Sequence, residues 1–159
     1  MLFRSEIAVT DISLDGVDMH KLKISGILGN VTKDIFSGDV TLAQITALGA
    51  TIKSLDLKFD NLGVIERYLT MEARKARKEP DALRREWATM AALIAPAILG
   101  DSDAAKAITS AVSRFVASPK SLTINAVAKN PGGVGLADVI AAGDPKAVLG
   151  KIDVKALAE

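Results

Sequence analysis

The sequence predicts an α+β domain, a mainly antiparallel sheet carrying about three main helices on one face. Three observations lead there. Apolar and polar residues alternate through most of the first sixty positions, helical spacing takes over from Asn61 to about Pro119, and alternation returns at SLTINAVAK and KIDVKALA. At 159 residues the chain fits one domain, 1–159, able to bury roughly 70% of its unfolded surface.

Residues 3 to 59 read as strands. SEIAVTDISLD alternates through Ile7 and Val9, then moves its apolar positions to Ile12 and Leu14, a parity change that predicts a bulge. HKLKISGIL sets Leu22 and Ile24 against Lys21 and Lys23. DVTLAQI reads as the next strand, and TIKSLDLKFD follows with Leu55, Leu57 and Phe59 inward. Turn-like DG, GN and SGD separate the runs, giving an N-terminal meander with one wet face.

Helical spacing then links Val64, Ile65, Tyr68, Leu69 and Ala76 over residues 62 to 78. Pro80 suits the first position of a second helix, whose stripe is Leu83, Trp87, Met90, Leu93 or Ile94, and Ala97 or Ile98. Gly100 offers its stop. Asp101 or Ser102 can cap a third helix bearing Ile108, Val112, Phe115 and Val116, which Pro119 ends. Beyond the strand SLTINAVAK, NPGGVG is a turn, GLADVIAAG and DPKAVLG are short helices, and KIDVKALA is a closing strand.

Composition excludes several functions. Twenty Lys and Arg against nineteen Asp and Glu leave a net charge of +1, and aromatic residues make up 4%, so a polyanion finds neither field nor stacking platform; nucleic acid is not an expected partner. Without cysteine there is no disulfide, thiolate nucleophile or cysteine-bound zinc. The opening MLFRSEIAVTDISLDG has no apolar core of signal-peptide length and enters a strand pattern almost at once, which reads as a segment of a longer exported protein.

Candidate chemistry is sparse. His20 lies near Asp11, Asp15 and Asp18, residue types that bind metals, but the aspartates surround an Asp15-Gly16 turn and lack the calcium-loop spacing. No metal, cofactor or catalytic residue is expected. G-x-S-x-G and S-x-x-K are absent, and NPGGVG lacks the spacing of a phosphate loop. Asn30-Val31-Thr32 matches a glycosylation acceptor, of consequence only in a eukaryotic secretory setting. Arg74, Lys75, Arg77, Lys78, Arg84 and Arg85 outnumber Glu72, Glu79, Asp81 and Glu86 by two, giving a solvated hairpin surface that could meet acidic head groups.

The run TMAALIAPAILG, residues 89–100, has no charge in twelve positions. As a helix it would span about 18 Å, short of the roughly 30 Å hydrocarbon core, so it cannot cross a membrane. Leu83, Trp87, Met90 and Ile94 make one stripe, and Ala88, Ala91, Ala92 and Ala95 a small-residue surface allowing close approach. Pro96 is expected to kink or end the helix. The stripe calls for a cover: the protein's own sheet, an apolar ligand, or a partner.

The succession SLDLKFDNLGVIERYL, EPDALRREW, APAILGDSDAAKAI, SRFVASPKSLTINAVAKNP and GLADVIAAGDPKAVL resembles uncharacterised Gram-negative envelope proteins, and the L-D-G-V-D and L-K-I-S-G strands resemble units of AsmA-like envelope proteins. The resemblance implies an exported, periplasmic or envelope protein with helices laid against an extended sheet; some AsmA-like proteins are implicated in moving lipids between membranes. The expected function is therefore a non-catalytic envelope domain binding a lipid acyl chain between helices and sheet. Leu83, Trp87, Met90, Leu93, Ile94, Ile98 and Phe115 would line the apolar site, with the six basic residues toward the head group. The alternative is an interaction or assembly module using the same apolar face for a second copy or an envelope protein partner.

Overall fold

In the computed structural model, which describes residues 6–159, strands β1 (Ile7–Gly16), β2 (His20–Gly29), β3 (Thr51–Asn61), β4 (Ser121–Ala128) and β6 (Ile152–Ala158) lie in the order β1-β2-β3-β4-β6. The two-residue β5 (Val134–Gly135) pairs with the start of β3, and every pairing is antiparallel. The α+β class is as the alternation predicts. The absence of a targeting segment, as far as it concerns residues 1–5, lies outside the described residues.

Alternation fixes which side chains share a face. Leu14, Leu22, Phe59, Leu122 and Ala158 are successive cross-strand neighbours, and so are Ile12, Ile24, Leu57, Ile124 and Ala156. Two apolar rows therefore cross all five strands. The parity change in β1 is a register shift between Val9 and Ile12, which returns Ile12 and Leu14 to the apolar face.

DVTLAQI is not a strand. It enters helix α1 (Val40–Leu48), because the Asp39 side chain accepts from the backbone N–H groups of Thr41 at 2.9 Å and Leu42 at 3.0 Å. Those bonds satisfy donors that a new helix leaves open, and the alternation of Val40 and Leu42 carried no information about this cap. NPGGVG also does more than turn. Gly133, at φ +89°, lets the chain double back so that Val134 is buried beside β3.

The three main helices are α2 (Val64–Ala76), α3 (Pro80–Leu99) and α4 (Asp103–Ala117), followed by α5 (Leu136–Ala141) and α6 (Pro145–Leu149). Pro80 opens α3, and the Ser102 side chain accepts from Ala105 N–H to cap α4, as expected. Helix α4 packs on β6 and β4, α3 packs on α4, and α2 packs on α3. The core is correspondingly divided. Ala104, Ala105 and Leu149 are buried against Ile108, Ile152 and Val154, while Leu69, Ala73 and Leu83 form a separate cluster with Trp87.

The helices cover the β4–β6 side and leave the β1 end open. Ile12 and Leu14, on the helix-side face, are 56% and 60% exposed. The accessible surface is 10345 Å², whereas a compact monomer of this mass would have about 7,600 Å².

Candidate functional site

Helix α3 has two apolar sides, and they meet different fates. Ala88, Ala91, Ala95 and Leu99 recur at helical spacing and are half-buried on the side where α3 runs against α4. Small side chains let the two helices approach closely. The buried hydroxyl oxygens of Thr109 and Ser113 on α4 have no hydrogen-bond partner.

The other side begins as core and ends as surface. Leu83 is buried with Leu69 and Ala73 of α2, and Trp87 packs against that cluster with its ring 5.9 Å from Tyr68. Past the reach of α2, Met90, Leu93, Ile94 and Ile98 are 46%, 72%, 46% and 53% exposed. Neither the sheet nor another helix buries them. Pro96 does not end α3, which continues to Leu99; Gly100, at φ +83°, closes it by donating its N–H to the Pro96 carbonyl at 2.8 Å.

Beside Leu99, at the end of the α4-facing side, lies a separate apolar depression of about 400 Å³, lined by Val139, Ile140, Pro145, Val148 and Leu149. Phe115 belongs elsewhere: it is buried on α4 with its ring against Phe59 of β3. Among the seven apolar residues singled out by sequence, the structure brings Met90, Leu93, Ile94 and Ile98 together on one accessible surface, places Trp87 at its margin, and assigns Leu83 and Phe115 to packing.

The basic residues surround the α2–α3 hairpin rather than converge on one point. Lys75 bonds to Glu72 at 2.7 Å, Lys78 to Glu86 at 2.5 Å, and Arg84 to Asp81 at 3.2 Å. Arg74, Arg77 and Arg85 are exposed and make no ion pair among the described residues. The hydrogen bond from Lys75 to Glu72, followed by the Glu72 charge, raises the Lys75 pKa above its ordinary value, so its ammonium stays charged. Arg77 holds φ +53° where α2 ends; Lys78 N–H reaches back to the Ala73 carbonyl across it.

His20 is stacked on Phe59, ring centres 5.8 Å apart, and among the described residues no group of three His, Asp or Glu is placed to hold a metal. Asn30 donates its side-chain N–H to the Gly49 carbonyl at 2.7 Å, and the following Val31 is buried, so the acceptor-like triplet anchors the start of β3. Among the described residues no helix is long and apolar enough to cross a membrane.

One residue that sequence reasoning treated only as a boundary, Asn61, joins the helical unit to the sheet. Its Oδ1 accepts from Gly63 N–H at 3.2 Å and Ile65 N–H at 3.1 Å, and its Nδ2 donates to Glu66 at 2.7 Å and to the Pro119 carbonyl at 2.5 Å. An Asn placed just before a helix with Glu five residues on is the only local signal of that role. A family model described as "Uncharacterized protein" matches residues 13–159. No curated protein and no solved structure matches the chain.

Proposed function

The chain belongs to this uncharacterized protein family, and because that membership carries no chemistry with it, we propose a function from the surface itself: a non-catalytic module of the cell envelope that binds lipid acyl chains along the open face of α3. The observation that carries the reading is the exposure of Met90, Leu93, Ile94 and Ile98 on one charge-free half of a helix. Four large apolar groups left in water on one surface are an unmet demand for cover.

Lipid suits the neighbourhood. Tyr68 and Trp87 mark the boundary between the charged hairpin and the apolar face, and Arg74, Arg77 and Arg85 retain charges available to phosphate. From Trp87 to Ile98 the helix rises about 16 Å, comparable with an acyl chain, which spans about half of the roughly 30 Å bilayer core. The envelope setting is supported by the resemblance of the turn, cap and stripe motifs to Gram-negative envelope proteins.

The test is flotation with vesicles of neutral and anionic phospholipid, alongside native mass spectrometry of the purified protein. The expected result is co-flotation enhanced by anionic lipid, and its loss in Leu93→Asp combined with Ile94→Asp, both sites being exposed enough to spare the fold. Equal flotation of that variant, or absence of flotation together with a concentration-dependent dimer, would overturn the lipid reading.

A further inference from the structure

The outer edge of β1 is a second open surface, and it differs in chemistry from α3. β1 pairs only with β2 among the described strands, so no described strand occupies its other edge, where backbone groups can extend a sheet. From Glu6 to His20 the chain contains Glu6, Asp11, Asp15 and Asp18 and no Lys or Arg, although the whole protein carries a net charge of +1. The strand itself is acidic, and the nearest cations, Lys21 and Lys23, stand on β2.

Its two faces specify what could be added. Ile12 and Leu14 end the apolar cross-strand rows and stay more than half exposed, whereas Asp11, Ser13 and Asp15 point to the opposite face. On its paired side β1 already shows the complement it accepts. Asp15 lies opposite Lys21, Ser13 opposite Lys23, and Asp11 reaches Lys23 at 3.8 Å, while Ile12 and Leu14 face Ile24 and Leu22.

A second copy fits poorly in the two-fold register that sets both apolar residues of β1 against apolar partners. The two-fold antiparallel register that sets Ile12 of one copy against Leu14 of the other also sets Asp11 against Asp15, and like charges directly opposite one another destabilise a strand pair. For any added strand, the shift between Val9 and Ile12 confines the regular ladder to Ile12–Gly16, with Asp11 at its margin.

We propose that β1 is a strand-addition site for an extended partner segment in which apolar residues alternate with Lys or Arg. Apolar side chains of the partner continue the Ile12–Leu14 rows, its basic side chains meet Asp11 and Asp15, and its backbone completes the ladder. This surface lies outside the α3 face and does not depend on the lipid reading.

The probes are a capped peptide of alternating valine and lysine and its valine–glutamate counterpart, each titrated against the whole chain by fluorescence anisotropy, with amide exchange read over residues 11–16. The expected result is saturable binding of the lysine peptide, weakening with salt and bringing protection to β1, with no binding of the glutamate peptide. Asp11→Asn with Asp15→Asn should weaken binding by about fivefold to tenfold while leaving circular dichroism unchanged. Equal binding of the two peptides, binding without protection of residues 11–16, or no binding at millimolar peptide would overturn the proposal. So would protection of β1 by a dimer of the chain alone.

Discussion

The ring of Phe115, on α4, meets the ring of Phe59, on β3, edge to face, with centres 5.7 Å apart and planes at 82°. Phe59 also carries His20 stacked on it at 5.8 Å. An α4 side chain thus reaches the middle strand of the sheet directly, and the aromatic series continues to the only histidine, on β2. Phe115→Ala is expected to cost about 3–5 kcal/mol by leaving a cavity under α4. Chemical denaturation would show it as a lowered midpoint, whereas Phe115→Leu should recover most of the loss.

The division of α3 into core and surface predicts opposite responses from two leucines. Leu83→Ala removes a buried side chain from the α2–α3 cluster and should cost about 2–5 kcal/mol. Leu93→Ser, on the open half, should change stability by no more than about 0.5 kcal/mol. Thermal melts of the two variants check the contrast, and comparable losses would place Leu93 in a packed environment.

Arg77 occupies a left-handed position that suits glycine, with φ +53°. Arg77→Gly should stabilise the protein by about 0.5–1 kcal/mol by relieving that conformation. The same substitution removes one of the unpaired cations, so binding to anionic vesicles should weaken as the melting temperature rises. A variant that became both less stable and fully lipid-competent would contradict both expectations.

Asn61→Ala deprives Gly63 and Ile65 of their acceptor and the Pro119 carbonyl of its side-chain donor. A loss of about 2–3 kcal/mol is expected. Hydrogen exchange should accelerate first in the opening turn of α2, before the β3–β4 ladder is affected.

Asp39→Ala tests the helix that alternation concealed. Loss of the cap should weaken α1 locally by about 1 kcal/mol. Because α1 contacts mainly the short turn Lys33–Phe36 and α5, its amides should exchange faster with little change in the global melting temperature.

Sequence periodicity revealed the elements whose faces differ in polarity. The β1 bulge followed from Val9 and Ile12, the strand faces from Lys21-Leu22-Lys23-Ile24, and the ends of α3 and α4 from Pro80, Gly100 and Ser102. It failed at α1, where Val40 and Leu42 suit a strand, Leu42 and Ile45 suit a helix, and Asp39 decided the matter. For the candidate surface, Met90, Leu93, Ile94 and Ile98 were legible as a stripe, but their exposure was not. Both sides of α3 are apolar, and only tertiary packing determines that α4 takes the alanine side.

The bond from Asn61 N–H to the Lys120 carbonyl, 2.7 Å long, brings together the two ends of an excursion about sixty residues in length. Residues 62–118 occupy the position of a hairpin loop between two adjacent strands. Doubling the length of a flexible loop adds only about 0.6 kcal/mol of closure entropy. The length of the excursion therefore adds little to the entropic cost of joining its ends, and the pairing of β3 with β4 is set by the strands themselves rather than by a short turn.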